Sequence, residues 1–80
     1  MLKATVYVTI KQNVLDPQGS AVSGGLHTMG FSEVGKVRVG KYIEIELNTT
    51  NRTEAEERVK AMCEKLLANT VIEDYRYELA

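Results

Sequence analysis

The 80-residue chain has one cysteine, one proline, one histidine and no tryptophan, and its formal net charge is −1. A single cysteine, Cys63, cannot form an internal disulfide, which makes a reducing, cytoplasmic setting the default expectation. One cysteine and one histidine cannot build a metal centre of the usual kind without carboxylates. A near-neutral balance gives no basic footprint for nucleic acid and no polybasic membrane anchor. No apolar run approaches the roughly 20 residues that span a bilayer. The N-terminal MLKATVYVTIKQ makes a poor signal peptide, because its apolar residues alternate with Lys and Thr. Linkers, internal repeats and low-complexity tracts are also missing, so residues 1–80 read as a single domain. The apolar fraction of 44% with 26% charged residues fits a folded soluble domain. A domain this small buries a modest share of its surface, so association with other subunits is anticipated.

Leu2, Ala4, Val6, Val8 and Ile10 alternate with polar partners, which predicts a strand with one buried face. Val37, Val39, Ile43, Ile45 and Leu47 form a second such row, opposite Arg38, Tyr42, Glu44, Glu46 and Asn48. Lys41 interrupts the row, and Gly40 beside it marks a bulge, a bend or a short hairpin. Gly35 and Gly40 thus bound a possible short strand ahead of a longer one. The C-terminal VIEDYRYEL predicts a last strand, with Val71, Tyr75, Tyr77 and Leu79 sharing a face with Glu73.

The spacing predicts a helix from Thr53 to about Ala68, with Thr53 and Glu56 as a capping box. Its apolar stripe is Ala55, Val59, Met62, Leu66 and Leu67, and Asn69 is the expected left-handed stop. An earlier helix starts at Asp16-Pro17, carries Val22, Leu26 and Met29 on one side, and closes at Gly30. Gly24 and Gly25 inside it each cost about 1 kcal/mol relative to Ala, so it needs tertiary support. The order β-α-β(β)-α-β predicts an α+β two-layer sandwich, ferredoxin-like or related, with its sheet extended by oligomerisation.

Two stretches mimic a phosphate loop, Gly30 to Lys36 and Gly35 to Lys41. Neither is followed by Ser or Thr, and both lead into a strand where the motif needs a helix start. The Leu15-Asp16-Pro17-Gln18-Gly19 corner does open a helix, but the Asp16 carboxylate would occupy the amides an anion needs. Cys63 lies in an apolar helical setting without a base, so it reads as packed and inert. His27 reads as a surface residue, and Glu54, Glu56 and Glu57 as a solvated helix face. No catalytic, cofactor-binding or metal-binding residue is assigned. Tyr7 and Tyr42 project from the faces opposite the apolar rows of their strands. With neighbouring Arg, Lys and Thr they mark an interface rather than a reaction centre.

The stretches VYVTIKQNVLDPQGSAV, VRVGKYIEIEL and CEKLLANTVIEDYRYEL resemble the PurS family, the small subunit of three-part phosphoribosylformylglycinamidine synthase. The likeness spans nearly the whole chain; the departure is Ser23-Gly24-Gly25, where relatives carry better helix formers. The resemblance implies a non-catalytic subunit in purine biosynthesis, a homodimer or homotetramer bridging a glutaminase subunit and an ATP-dependent synthetase subunit. It implies that ATP, Mg and glutamine are used by those partners and that this chain binds no cofactor itself. The expected contact residues are Tyr7, Lys11, Asp16, Gln18, Arg38, Lys41 and Tyr42. An ACT-like module binding a small metabolite is the alternative reading. An acylphosphatase is disfavoured, because no Arg-bearing cradle follows the first strand.

Overall fold

The computed structural model describes residues 1–80. In chain order it comprises β1 (Leu2–Ile10), α1 (Pro17–Thr28), β2 (Gly40–Leu47), α2 (Arg52–Met62) and β3 (Glu73–Leu79). The strands form one antiparallel sheet in the order β2-β1-β3. The α+β expectation therefore holds, with three strands and two helices.

The alternation of β1 explains its central place. Ala4, Val6 and Val8 are buried, and Val6 lies between Ile43 of β2 and Tyr77 of β3. Ala55, Val59 and Cys63 close over this row and complete a core with Leu47 and Ala68. Tyr75, Tyr77 and Leu79 pack at its margin. The opposite face of the sheet, bearing Tyr7 and Tyr42, has no helix over it.

Four details differ from the sequence reading. First, α2 starts at Arg52, with Asn51 Oδ1 accepting from the Glu54 amide at 3.1 Å. Asn caps as well as Thr does. Starting earlier uses Asn51, so the Thr53–Glu56 box does not form the cap. Second, α2 continues into a π-turn, Cys63–Leu67, in which the Ala68 amide donates to Cys63 O at 2.9 Å. The wider turn rotates the stripe: Cys63 enters the core, and Leu66 faces solvent at 83% exposure. Third, Asn69 does not stop the helix in a left-handed conformation, since no residue but Gly30 has positive φ. Its side chain instead accepts from the Val71 amide at 3.2 Å. Val71 and Ile72 lie in that exposed turn, and β3 begins at Glu73. Fourth, the possible short strand at 37–39 does not pair within the chain, and β2 begins at Gly40.

The first helix begins after Asp16 and ends at Gly30, whose φ of 97° lies in the left-handed region open to glycine. It does not join α2 on the sheet but lengthens the molecule to 49 × 24 × 14 Å. The radius of gyration is 16.1 Å, against about 12 Å for a compact chain of this length. Val22 and Met29, expected to pack inward, are exposed.

The position of the π-turn gives a stability test. Val59→Ala should cost about 2 kcal/mol, whereas Leu66→Ala should lie within about 0.5 kcal/mol of wild type, both read by urea denaturation. A large loss at Leu66 would mean that the regular helical stripe, not the rotated one, faces the core.

Candidate docking corner and open sheet face

The corner between β1 and α1 is built by two charged side chains turned inward. Asp16 is almost fully buried. Its Oδ1 accepts from the Gly19 amide at 2.9 Å and its Oδ2 from the Val39 amide at 2.8 Å. One carboxylate thus caps α1 and ties it to the segment that leads into β2. These two amides, aided by the Arg38 guanidinium, hold the carboxyl below the ordinary carboxylate range. Arg38 donates to the carbonyls of Ile10 at 2.8 Å, Lys11 at 2.6 Å and Val14 at 3.3 Å. It gathers the end of β1 and the following loop around one cation.

Gly19 is required by this closeness. A Cβ there would lie 2.1 Å from Val37 O, which no side chain could accommodate. Further along, Ser23 Oγ donates to Gly35 O at 3.2 Å and His27 Nε2 to Val34 O at 2.7 Å. The helix and the extended segment Phe31–Val39 therefore form a two-ply arm, fixed at its base by Asp16 and Arg38. A polar groove of about 590 Å³, lined by residues including Gln12, Asn13, Ser20, Lys36 and Arg38, runs along this arm.

On the open sheet face, Tyr7 and Tyr42 meet edge to face with centroids 5.6 Å apart. Arg76 lies 3.9 Å above the Tyr7 ring. The Tyr7 hydroxyl donates to Glu78 Oε1 at 3.0 Å, and this bond raises its pKa above the ordinary value. Lys3 forms an ion pair with Glu44 beside the cluster. Such cross-strand pairs stiffen a sheet face by a few tenths of a kcal/mol each.

The reactive candidates are spent structurally. Cys63 is buried on the far side of the sheet, and burial pushes its thiol above the ordinary value. His27 uses Nε2 on a backbone carbonyl. No group of three or more His, Cys, Asp or Glu residues is placed to hold a metal ion. Neither phosphate-loop mimic is followed by a helix: Gly30 ends α1, and Gly35 to Lys41 runs into β2.

A family model described as PurS, phosphoribosylformylglycinamidine (FGAM) synthase, matches residues 3–80. The chain belongs to the PurS family. The PurS subunit of Bacillus subtilis is 58% identical over 79 residues, spanning 99% of this chain and 93% of that protein. The PurS subunit of Synechocystis is 47% identical over 74 residues, 92% of this chain and 74% of that protein. A crystal structure of B. subtilis PurS superposes with a TM-score of 0.92 at 57% identity, covering 100% of this chain and 99% of that one. A chain in the structure of PurLQS from Thermotoga maritima superposes at 0.86 and 34% identity, with 100% and 99% covered.

Within this PurS chain, the residues expected at an interface divide into two groups. Asp16 and Arg38 face inward and build the corner. Gln18, Lys41 and Tyr42 are exposed, while Tyr7 and Lys11 are half-buried at the surface. Lys41 lies 3.8 Å from Glu73. Arg76 and Glu78, which complete the tyrosine cluster, escaped the sequence reading. Their alternation with Tyr75 and Tyr77 was the available signal.

Two predictions follow from the corner. Gly19→Ala should lose about 3 kcal/mol by overpacking against Val37, whereas Gly24→Ala, which would meet nothing within 4 Å, should gain about 0.5–1 kcal/mol. Equal effects in chemical denaturation would refute the close approach. Asp16→Asn loses the acceptor for the Val39 amide. A carboxyl whose pKa is lowered by folding stabilises above its unfolded value and ceases to do so as pH falls through the folded one. The stability gap between wild type and Asp16→Asn should therefore persist above about pH 4 and shrink below it. A gap independent of acid pH would show that Asp16 is not charged in the corner.

Proposed function

We propose that this chain is the non-catalytic bridging subunit of a three-part phosphoribosylformylglycinamidine synthase, acting in the cytoplasm in de novo purine biosynthesis. Its partners are a glutaminase subunit that releases ammonia and a synthetase subunit that uses ATP, Mg and that ammonia. The chain itself contributes no bond-making group and works as a homodimer or homotetramer. No helix of the chain is long and apolar enough to cross a membrane.

The observation that carries this reading is the combination of family and form. A PurS-family chain places its only cysteine in the core and its only histidine on a carbonyl. Its sheet meanwhile leaves a polar and aromatic face uncovered, and its first helix stands away from the sheet. A 34% identical structural relative is a chain of a PurLQS assembly. A rigid scaffold suits the task, because ammonia that reaches bulk water is protonated and lost as a nucleophile. Holding two active sites in register converts its capture into a local event.

The docking residues proposed are those the corner presents outward. Lys11 and Gln18 flank the Asp16–Pro17 turn; Lys41, Tyr42 and Tyr7 lie across the end of β2 and the open face. Arg38 and Asp16 support them from behind. Lys11 supplies a charge-assisted contact and Tyr42, 61% exposed, an aromatic anchor.

Reconstitution tests the role. Glutamine-dependent product formation by the glutaminase and synthetase subunits should require this chain, while ammonia-dependent synthesis by the synthetase should not. Undiminished glutamine-dependent activity without it would defeat the reading. The Lys11→Ala/Gln18→Ala variant should assemble at least about tenfold more weakly with those subunits while retaining its circular dichroism spectrum. Unchanged assembly would remove the corner from the docking surface.

A further inference from the structure

The segment Gly35–Val39 is a strand without a partner. Its residues alternate as strands do, its backbone runs extended into β2, and Val37 and Val39 continue the apolar row of Ile43 and Ile45. Yet the amides of Gly35, Lys36, Val37 and Arg38 donate to no group in the chain. Val39 is the exception, donating to Asp16. The outer edge of β2, in direct continuation, is equally unpaired. From Gly35 to Leu47 the chain thus presents one long free edge of 13 residues.

The parity of that edge can be read from the sheet. Lys3 and Ala80 exchange both main-chain bonds, each at 3.0 Å. Odd-numbered residues of β1 therefore turn their main-chain groups toward β3, and even-numbered ones toward β2. Across the β1–β2 register, which opposes Val6 to Ile43 and Ala4 to Ile45, the odd residues of β2 answer them. The even residues of β2 then point outward. The extended segment agrees: Val39 turns its amide to Asp16, and Val37 its carbonyl toward Gly19. Lys36, Arg38, Gly40, Tyr42, Glu44 and Glu46 present one continuous row of outward main-chain groups.

We propose that this edge pairs with the same edge of a second copy, antiparallel about a two-fold axis at Lys41. In that register Val37 faces Ile45 of the other copy, Val39 faces Ile43, and Gly40 faces Tyr42. Lys36 faces Glu46; both are exposed, and neither has an ion-pair partner within its own chain. Moving the axis to Gly40 would set Lys41 against Val39, and moving it to Tyr42 would set Lys41 against Ile43. Only the axis at Lys41 keeps lysine out of the apolar row, with its amine drawn aside toward Glu73. The result is a six-stranded sheet across two chains. Each arm is carried alongside the other copy's β2, whose Ile43 and Ile45 are only half-covered in the single chain. The 16.1 Å radius of gyration becomes intelligible, since the chain is drawn out over a neighbour.

This deepens the homo-oligomer part of the reading above and is independent of bridging, so either can fail alone. The register is tested by cross-linking and by charge reversal, with oligomer mass read by light scattering. Residues directly opposed in an antiparallel pair lie about 4.5–5.5 Å apart at Cα, within disulfide range. In a Cys63→Ala background, Lys41→Cys should oxidise to a covalent dimer at micromolar concentration, and Glu44→Cys should not. Lys36→Glu and Glu46→Lys should each weaken dimerisation about tenfold, while the double variant should recover to within about twofold. Circular dichroism of each variant reports its fold. A monomeric wild type, cross-linking at Glu44→Cys in preference to Lys41→Cys, or reversals that do not rescue one another would overturn the proposal. So would charge-reversal variants that dimerise normally but lose the glutaminase or synthetase subunit, since the edge would then belong to that partner.

Discussion

The Asp16 carboxylate decides how this chain is laid out. A single buried anion accepts from an amide at the start of α1 and from one just ahead of β2, two places 20 residues apart in sequence. Charge buried without partners is costly, and charge that accepts well-aligned amides is not. Arg38 supplies the opposite charge and collects three carbonyls that would otherwise end in open loop. Around this pair the first helix becomes a fixed arm rather than a tethered one. Gly19 is the steric condition for the arrangement, because only hydrogen fits against Val37.

Two halves of unequal character follow. One is a conventional α+β layer: a three-stranded sheet under α2, with a core of eight small and medium side chains. The other is the arm, whose apolar side chains stay largely exposed and whose extended ply leaves main-chain donors unused. A core of that size gives limited stability to 80 residues. Association with further chains is the natural source of the remainder, and it also serves the proposed task. A protein whose role is to hold two catalytic subunits needs surfaces, and here the surfaces are spread over a 49 Å length.

Much of the layered half was legible in the sequence, because period-two and period-3.6 patterns respond to burial directly. The strand from Leu2 to Ile10, the Asp16–Pro17 helix start and the stop at Gly30 are local signals with local causes. What escaped the sequence was non-local. The rotation that brings Cys63 inward and turns Leu66 out depends on one i→i+5 bond, which no residue type announces. Arg38 and Asp16 look like surface charges in a one-dimensional reading, and only the fold brings them to their amides and carbonyls. The segment from Val37 to Val39 was read as strand-like, and its alternation is real; the partner that would make it a strand lies outside the chain. The contact surface is partly legible on the same grounds. Tyr7 and Tyr42 were identified by face, but Arg76 and Glu78 join them only through the β1–β3 register.

The most direct test of the corner is amide hydrogen exchange on the native protein, resolved by residue. If the Asp16 carboxylate fixes the arm to the sheet, the Gly19 and Val39 amides should exchange nearly as slowly as the central amides of β1, and Asp16→Asn should accelerate Val39 in particular. Exchange of Val39 in wild type as fast as an exposed turn amide such as Ser32 would contradict the account.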